Sequence, residues 1–363
     1  MLRVGLRSMT PRFHTLRIAE VRRETPEAVS LEFEVPLALA HDYAFVQGQH
    51  ITLRAHIDGS EMRRTYSICA GVDDRRLRVA IKRLPGGRFS TWANTQLKAG
   101  VALDVLTPDG RFHTRLDPDH AKHYAAFAAG AGITPILSLI KTTLAREARS
   151  RFTLLYGNRR QSSVLFHEEL EDLKDRYLSR FTLYNLFSRE QQEVDLFNGR
   201  LDGAKVKAFA DTLLPADTID EAFVCGPGAM IDEVENALQA CGLRAEHIHS
   251  ERFGVPNIVT EHHAEPGDAP QAIVIVISDG IQRELEFRRT DPSILDAALQ
   301  AGFDLPFACK SGVCCTCRAR LLSGQVRMDK NYGLDARDVE AGYVLTCQAH
   351  PLTDRVVVSY DER

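Results

Sequence analysis

The first third of the chain alternates short apolar runs with polar turn residues. Turn pairs such as Asp58-Gly59 and Asp109-Gly110 separate the runs. Strands of this length at this spacing predict an antiparallel β-barrel over residues 12–115. The predicted strands are residues 14–21, 28–35, 50–55, 65–69 and 77–82.

The pattern changes after residue 120, where apolar runs alternate with amphipathic, helix-type stretches. The strand-type runs are residues 124–129, 152–156, 181–187 and 222–225. The helix-type stretches begin near residue 136 and continue at 165–176 and 229–241. Alternation of this kind predicts a parallel α/β domain over residues 120–253.

A third unit is predicted at the end of the chain. Residues 254–270 are rich in Pro, Gly, His and acidic residues, as is typical of an interdomain linker. Strand-type runs at 272–277, 284–287 and 355–360 and a helix near 293–301 then predict a domain over residues 271–363. A chain of 363 residues is expected to hold more than one core, so we predict a multidomain α/β + β fold.

The charge balance argues against two classes of partner. The chain has 45 basic and 49 acidic side chains and a net charge of −4. This balance disfavours nucleic acid or an anionic membrane surface as the main partner.

No membrane-spanning or secretory segment is predicted. The longest apolar run, residues 124–140, is interrupted by Gly130, Gly132 and Pro135, whereas a lipid span needs about 20 unbroken apolar residues. Residues 1–10 lack the apolar stretch and cleavage site of a signal peptide. We therefore expect a cytoplasmic protein.

Four of the eight cysteines lie between residues 309 and 317. Cys309, Cys314 and Cys317 follow the spacing Cys-x4-Cys-x2-Cys, and Cys347 comes after 29 further residues. This is the spacing of a plant-type [2Fe-2S] site, in which two thiolates bind each iron. A zinc site is the alternative, but structural zinc sites favour two short Cys-x2–4-Cys pairs. The sequence therefore predicts an iron–sulfur cluster, with Cys315 as a non-ligand.

Two segments carry a candidate flavin site. In Arg64-Thr65-Tyr66-Ser67, the Arg suits a phosphate, the Tyr can flank the isoalloxazine ring, and the Ser can hydrogen-bond near N5. Taken alone, a surface Arg beside a core Tyr explains this segment equally well. The second segment, Gly87-Arg88-Phe89-Ser90, opens a predicted helix whose free N–H groups would bind a pyrophosphate.

Two strand–helix turns carry a candidate dinucleotide site. Gly130-Ala131-Gly132-Ile133-Thr134-Pro135 and Cys225-Gly226-Pro227 each follow a predicted strand. Glycine lets the backbone approach a pyrophosphate, and ligands bind at the carboxyl ends of parallel strands. A tight structural turn and an inert core thiol are the alternatives.

In this order, the segments over residues 12–253 resemble the ferredoxin–NADP reductase superfamily. The resemblance implies that Arg64, Thr65, Tyr66 and Ser67 bind FAD, together with residues 87–90. It implies that the two strand–helix turns hold the nicotinamide dinucleotide. It also implies that Ser67, Cys225 and Glu251 align hydride transfer and that Phe253 shields the flavin. In this sequence Phe253 is followed directly by the predicted linker, which departs from the family pattern.

The choice between NADPH and NADH depends on a site for the 2′-phosphate. Ser188-Arg189 follows the predicted strand 181–187. In NADPH-using members of the superfamily, a Ser-Arg pair at this place binds that phosphate, and Arg supplies bidentate donors. We predict NADPH, with NADH as the alternative and a solvated loop as the structural alternative.

Residues 305–317 and 342–347 resemble the β-grasp ferredoxin domain. The domain order resembles the reductase components of bacterial multicomponent oxygenases, and residues 63–69, 86–90, 220–227 and 308–317 resemble the phenylacetyl-CoA epoxidase reductases among them. This implies electron delivery to a di-iron oxygenase, with the flavin converting two-electron hydride transfer into single-electron steps. The alternatives are a reductase of another oxygenase or hybrid-cluster protein, and a zinc-binding redox-sensing module.

Overall fold

The computed structural model describes residues 11–253, 265 and 267–362. It divides into two compact units, Phe13–Phe253 and the described residues on either side of that range. Among the described residues, no helix is long and apolar enough to cross a membrane.

The first part of the larger unit is an antiparallel barrel. Its six strands are hydrogen-bonded in the order β4-β3-β6-β1-β2-β5, and a bridge between Ile68 and Val79 closes the sheet. Asp58 and Gly59 connect β3 to β4 with φ angles of 51° and 75°, as a two-residue hairpin turn requires. The elements are β1 Phe13–Thr25, β2 Ala28–Glu34, β3 His50–Ile57, β4 Ser60–Ser67, β5 Leu77–Lys82, helix α1 Arg88–Gln96 and β6 Ala102–Leu106.

The barrel core follows the two-residue period of its strands. Ile51, Leu53 and Ile57 of β3 are buried, and α1 adds Phe89 and Ala93 to the same core. This packing fixes the start of α1 against the barrel, next to the end of β5.

The second part of the larger unit is a parallel α/β sheet with strand order β11-β10-β7-β8-β9. The chain order of the strands reverses between β7 and β10, and ligands bind such sheets at the carboxyl ends of the strands at that point. The strands are β7 His123–Ala129, β8 Arg151–Asn158, β9 Phe181–Phe187, β10 Glu221–Gly226 and β11 Ile248–Arg252. The helices are α2 Ile133–Arg146, α3 His167–Arg176, α4 Gly203–Ala210 and α5 Gly228–Ala240.

Helices cover both faces of this sheet. Tyr124 and Ala126 of β7 share a core with residues of α2 and α3, while Ala125 and Phe127 share another core with residues of α4 and α5. Successive residues of β7 face opposite sides of the sheet, and helices cover both sides. Residues on both faces are therefore apolar, which gives one apolar run in the sequence.

The smaller unit is a β-grasp domain. Its five-stranded sheet has the order β13-β12-β18-β14-β16, with β12 and β18 parallel at the centre, and β15 pairs with β17 in a second sheet. The strands are β12 Gln271–Ser278, β13 Ile281–Arg288, β14 Arg318–Ser323, β15 Val326–Met328, β16 Tyr343–Leu345, β17 Ala349–Pro351 and β18 Arg355–Ser359. The helices are α6 Ile294–Gln300 and α7 Ala336–Glu340.

The predicted linker 254–270 is described only in part, and its bounds stay a prediction. Residues 254–264 and 266 lie outside the described residues. Asp268, however, is 5% exposed and accepts hydrogen bonds of 2.9 and 2.8 Å from Arg327, and the Ala269 N–H donates to the Pro351 carbonyl at 2.9 Å. These two residues belong to the β-grasp unit because their polar groups find their partners there. The domain boundaries near residues 115, 120 and 253 stay predictions.

Candidate functional site

The two predicted dinucleotide-binding turns meet at the carboxyl edge of the parallel sheet. The Gly130–Gly132 turn follows β7, and a Cβ at Gly132 would overlap the carbonyl oxygen of Cys225 at the end of β10. Gly130 has a φ of 54°. Glycine is therefore required at residue 132 because the Cys225 backbone lies so close, and at residue 130 because of the positive φ.

The side chains of Thr134 and Pro135 shape this turn from inside. Both are buried, and Thr134 Oγ1 donates to the Ala131 carbonyl at 3.0 Å. The helix α2 begins at Ile133, three residues earlier than the sequence predicts. On the other turn, Pro227 is followed by α5, whose first N–H groups have no partner within the helix.

Three predicted catalytic residues lie together beside these turns. Ser67 Oγ, at the end of β4, donates to Glu251 Oε2 on β11 at 2.8 Å. Glu251 is the register partner of Cys225 on β10. The structure thus brings one residue of the barrel and two of the parallel sheet into one place.

Cys225 is an uncharged thiol. It is fully buried, and burial is the main cause that raises the pKa of the Cys225 thiol well above its usual value. The nearby Glu251 carboxylate raises this pKa further. A protonated thiol is a poor nucleophile. Cys225 is therefore not suited to nucleophilic attack, and its contact with a bound nicotinamide stays a prediction.

His50 belongs to the same site, and the sequence analysis missed it. Its side chain is 7% exposed, Nδ1 lies 3.8 Å from Glu251 Oε1, and it is the register partner of Ser67 between β3 and β4. His50, Glu251 and Ser67 thus form one polar cluster between the barrel and the parallel sheet. A single His within a barrel strand gives no local signal of this role.

Phe253 lies just beyond β11 and is 49% exposed. The preceding Arg252 donates to Asp232 Oδ1 at 2.5 Å and to the Gly228 carbonyl at 3.4 Å, which ties the end of β11 to α5. The role of Phe253 as a flavin shield stays a prediction.

The predicted flavin segment on β4 has one side chain available for a phosphate. Arg64 is exposed, and its guanidinium donates to the Arg63 carbonyl at 2.7 Å. Thr65 Oγ1 lies 3.1 Å from Thr52 Oγ1. The Tyr66 ring lies 5.9 Å from the Phe89 ring of α1, and burial raises the pKa of Tyr66, so its phenol stays neutral.

At the start of α1, side chains hold the helix in place, and the main-chain N–H groups of its first turn can bind a ligand. Arg88 pairs with Asp58 of the β3–β4 turn at 3.3 Å, and Phe89 is 2% exposed. Ser90 Oγ donates to the Gly87 carbonyl at 3.2 Å. The residues predicted here as cofactor ligands therefore fit through their main-chain N–H groups, which have no partner within the helix.

Exposed arginines follow the parallel strands β8 and β9 at their carboxyl ends. Ser188 and Arg189 follow β9, and Arg159 and Arg160 follow β8. Within the described part of the chain, none of these arginines forms an ion pair with an acidic side chain. Ser188 and Arg189 were predicted from the sequence. Arg159 was not, because only the fold shows that the ends of β8 and β9 are neighbours.

Lys82, the last residue of β5, adds a basic side chain near the Gly130–Gly132 turn. Its Nζ lies 3.8 Å from the position that a Cβ on Gly130 would take. Burial lowers the pKa of Lys82, and Arg159 acts in the same direction. The sequence analysis treated Lys82 as the end of an ordinary barrel strand.

In the smaller unit the four predicted cluster ligands come together in pairs. The Cys314 thiol lowers the pKa of Cys309, and the Cys347 thiol raises the pKa of Cys317, so the four thiols act on one another in two pairs. The Cys314 thiol, with N–H donors from Ser311 and Cys314, lowers the pKa of Cys309 below its usual value. Two pairs of thiols fit a cluster in which each iron takes two cysteines.

Backbone donors support the sulfur atoms of the cysteine loop. The N–H groups of Ser311 and Cys314 both lie 3.4 Å from Cys309 Sγ. A Cβ on Gly333 would overlap Cys315 Sγ, so this non-ligand cysteine packs against a neighbouring glycine.

Comparison with known proteins identifies three domains in the expected order. Residues 15–114 match the oxidoreductase FAD-binding domain, and residues 127–236 match the oxidoreductase NAD-binding domain. Residues 276–352 match the 2Fe-2S iron-sulfur cluster binding domain. The predicted FAD, pyridine nucleotide and [2Fe-2S] cofactors are confirmed, and the zinc alternative is wrong.

Curated relatives align along nearly the whole chain. The E subunit of the 1,2-phenylacetyl-CoA epoxidase from Escherichia coli K12 is 45% identical over 97% of this chain and 98% of its own length. The ferredoxin reductase component of 3-ketosteroid-9-alpha-monooxygenase from Mycolicibacterium smegmatis is 36% identical, covering 96% and 97%. The glycine betaine monooxygenase reductase subunit of Pseudomonas aeruginosa is 30% identical, covering 96% and 95%.

Solved structures share the fold. Phthalate dioxygenase reductase aligns with a TM-score of 0.57 and 24% identity over 96% of this chain and 98% of its own. An intact type IV self-sufficient cytochrome P450 monooxygenase aligns with a TM-score of 0.68 and 22% identity over 95% of this chain, which spans 41% of that longer protein.

The predicted fold class and reductase activity are therefore confirmed. Antiparallel barrel, parallel α/β sheet and β-grasp domain follow one another as in the relatives, and the three cofactor-binding domains are present. The chain belongs to the family of flavin and [2Fe-2S] reductases that supply electrons to the oxygenase components of multicomponent systems.

Proposed function

We propose that this protein is the NADPH-dependent reductase of a phenylacetyl-CoA epoxidase, serving a di-iron oxygenase component of phenylacetate breakdown in the cytoplasm. One observation carries the choice of oxygenase. The chain is 45% identical to the Escherichia coli epoxidase protein over 97% of its length, against 36% for the ketosteroid monooxygenase reductase.

Hydride transfer is assigned to the site shared by the barrel and the parallel sheet. When bound, the flavin takes a hydride from the nicotinamide and releases electrons singly to the [2Fe-2S] cluster. Glu251 accepts the Ser67 hydroxyl proton in the 2.8 Å hydrogen bond, which leaves the lone pairs of the Ser67 oxygen to accept a hydrogen bond from the flavin ring. Cys225 offers a neutral contact for the nicotinamide, and His50 lies 3.8 Å from Glu251.

FAD binding is assigned to residues of β4 and α1. Arg64 has an exposed guanidinium suited to a phosphate, and Tyr66 offers a neutral aromatic ring. The main-chain N–H groups at the start of α1 would bind the pyrophosphate.

NADPH is favoured over NADH by the exposed arginines at the carboxyl ends of β8 and β9. Ser188 and Arg189 would hold the 2′-phosphate, and Arg159 lies on the neighbouring strand end. Lys82 would neutralise the pyrophosphate above the Gly130–Gly132 turn. Cys309, Cys314, Cys317 and Cys347 would ligate the cluster.

Reconstitution with defined oxygenases tests the proposal. The purified reductase would be combined with NADPH and either the oxygenase components of a phenylacetyl-CoA epoxidase or those of a 3-ketosteroid monooxygenase. Product formation is the readout, and reduction of ferricyanide serves as a control for reductase activity in each mixture. We expect product from phenylacetyl-CoA at least tenfold faster than from the ketosteroid.

Equal or inverted rates would contradict the choice of partner and favour another oxygenase. Ferricyanide reduction without product in either mixture would direct the search to other acceptors, such as a hybrid-cluster protein. Comparison of NADPH with NADH in the same assay tests the nucleotide preference separately.

A further inference from the structure

We propose that the side-chain amide of Gln348 is a positioning residue for the iron–sulfur cluster. It joins the loop of the first ligand to the fourth ligand and thereby sets the reduction potential and the retention of the cluster. This inference rests on the proposed ligands Cys309, Cys314, Cys317 and Cys347.

The contacts of Gln348 reach both ends of the ligand set. Gln348 follows Cys347 and is 1% exposed. Its Nε2 donates to the Lys310 carbonyl at 3.0 Å and to the Cys347 carbonyl at 2.9 Å, and it lies 3.7 Å from Cys347 Sγ. Because both carbonyls can only accept, the amide must present its NH₂ group here.

The backbone of Lys310 needs this support. Lys310 has a φ of 51°, in the left-handed region that residues with a Cβ seldom adopt. Its side chain is held by Asp296 of α6 at 2.6 Å and lies 4.8 Å from the centre of the Phe307 ring. Gln348 holds the carbonyl of the same residue, so the loop is fixed from both sides.

Gln348 also fills the space beneath the middle of the loop. Gly312 has a φ of 75°, and a Cβ there would lie 3.3 Å from Gln348 Cγ and 2.8 Å from the Lys330 carbonyl oxygen. The cysteine loop therefore packs against the Gln348 side chain. We expect a substitution of Gln348 to shift the sulfur atoms of this loop.

The physical consequence is electrostatic as well as steric. Reduction adds negative charge to the cluster and its thiolates, and N–H groups directed at sulfur stabilise that charge. Without the amide, the Lys310 and Cys347 carbonyls lose a donor, and Cys347 Sγ loses the positive end of the amide dipole that lies 3.7 Å away. The reduced form becomes less favourable, and the loop opens more often.

Two variants and one control test this inference in the full-length holoprotein. Gln348→Leu removes the amide at similar size, Gln348→Glu replaces the NH₂ group with an acceptor, and Gln325→Leu changes an exposed Gln of the same unit. The midpoint potential would be measured by redox titration followed by electron paramagnetic resonance. Cluster loss would be followed by visible absorbance in the presence of an iron chelator.

For Gln348→Leu we expect the equilibrium constant for one-electron reduction to fall about tenfold, which corresponds to about 59 mV. We also expect the cluster to be lost at least threefold faster, with flavin reduction by NADPH and the Gln325→Leu variant unchanged. A wild-type potential and rate of loss in Gln348→Leu would overturn the inference.

If Gln348→Leu yields no cluster-bearing protein, Gln348→Glu gives the answer. It keeps the shape of the side chain, loses the donors and adds a negative charge, so a potential equal to that of the wild type would overturn the inference and a lower one would support it. Absence of an iron–sulfur band in the wild-type protein would contradict the proposed function itself, which distinguishes the two failures.

Discussion

The hydrogen bond from Ser67 to Glu251 is one of the contacts that join the barrel to the parallel sheet. Glu251 is 15% exposed at its side chain, and its other oxygen faces His50 at 3.8 Å. A carboxylate with two such neighbours fixes the direction of the Ser67 hydroxyl. The geometry of hydride transfer would then depend on the charge of Glu251 and not only on its shape.

Glu251→Gln tests this dependence because it keeps the size of the side chain and removes its charge. A hydrogen bond to a charged group contributes about 1.5–3 kcal/mol, so we expect flavin reduction by NADPH to slow by about 10- to 100-fold. The rate would be measured by stopped-flow absorbance of the flavin band. Glu246→Gln, a change of an exposed residue paired with Arg244, is the matched control. A rate within twofold of the wild type would rule out the role.

Arg189→Ala tests the assignment of the 2′-phosphate site. Loss of a charge-assisted contact is expected to raise the KM for NADPH by about 10- to 100-fold. The KM for NADH should not change, since NADH lacks the 2′-phosphate. Arg149→Ala removes an exposed positive charge just before β8, at the opposite edge of the sheet, and serves as control. An equal rise for both nucleotides would contradict the assignment.

The site residues that belong to short motifs could be predicted from the sequence. Those that have no motif around them, and that only the fold brings to the site, were missed. Ser67 and Cys225 are marked by their neighbours Arg64-Thr65-Tyr66 and Gly226-Pro227. His50 and Lys82 stand alone in barrel strands, and their proximity to Glu251 and Gly130 depends on how the barrel packs against the sheet. No local pattern can predict such a contact.

At the scale of elements, an ion-pair network connects β5 of the barrel to helices of the parallel sheet. Glu169 of α3 accepts from Arg78 of β5 at 2.6 Å and from Lys141 of α2 at 2.7 Å. Burial alone would raise the pKa of Glu169, but Arg78 and Lys141 outweigh it and hold the pKa below its usual value. Three elements of the larger unit thus share one carboxylate.

Glu169→Gln is expected to lower the free energy of unfolding by about 2 kcal/mol at pH 7, because Arg78 loses its charged partner and Lys141 keeps only its ion pair with Asp74. The folded pKa lies below the unfolded value of about 4.3, so the stabilisation is present above that pH and is lost as the pH falls through the folded pKa. The difference between variant and wild type should shrink between pH 7 and pH 3.

Urea unfolding followed by fluorescence of Trp92, the single tryptophan, measures this difference. Glu168→Gln is the matched control, since Glu168 is 83% exposed and pairs with Arg22 at the surface. A constant difference across the pH range would show that the charge of Glu169 does not contribute.

The elements themselves were predictable where apolar periodicity was strong. The bounds of β5 and β9 are those that the sequence predicts. The first half of β4, Ser-Glu-Met-Arg-Arg, was missed because its charged residues obscure the alternation, although it pairs with β3 throughout. β6 was also missed, since Asp104 interrupts its short apolar run.

At the scale of the whole molecule, the flavin and nucleotide domains lie in one compact unit and the cluster domain in another. Each unit has its own hydrophobic cores. Hydride transfer therefore depends on residues of one unit, whereas cluster binding depends on the other.

Cys347→Ser tests this separation. The variant should lose the iron–sulfur absorbance while the flavin is still reduced by NADPH at the wild-type rate. Turnover with the oxygenase should fall more than 100-fold, because single electrons no longer reach the partner. Visible spectra and product assays measure the two effects. Cys241→Ser, at the end of α5, should leave both unchanged, and slow flavin reduction in Cys347→Ser would contradict the prediction.

The buried thiol of Cys225 has a consequence for the lifetime of the protein. Reduced flavins react with oxygen to give hydrogen peroxide, and peroxide oxidises cysteine through the thiolate at accessible positions. Cys225 is fully buried and its pKa is raised. The reductase therefore keeps this site cysteine resistant to oxidative damage arising from its own side reactions.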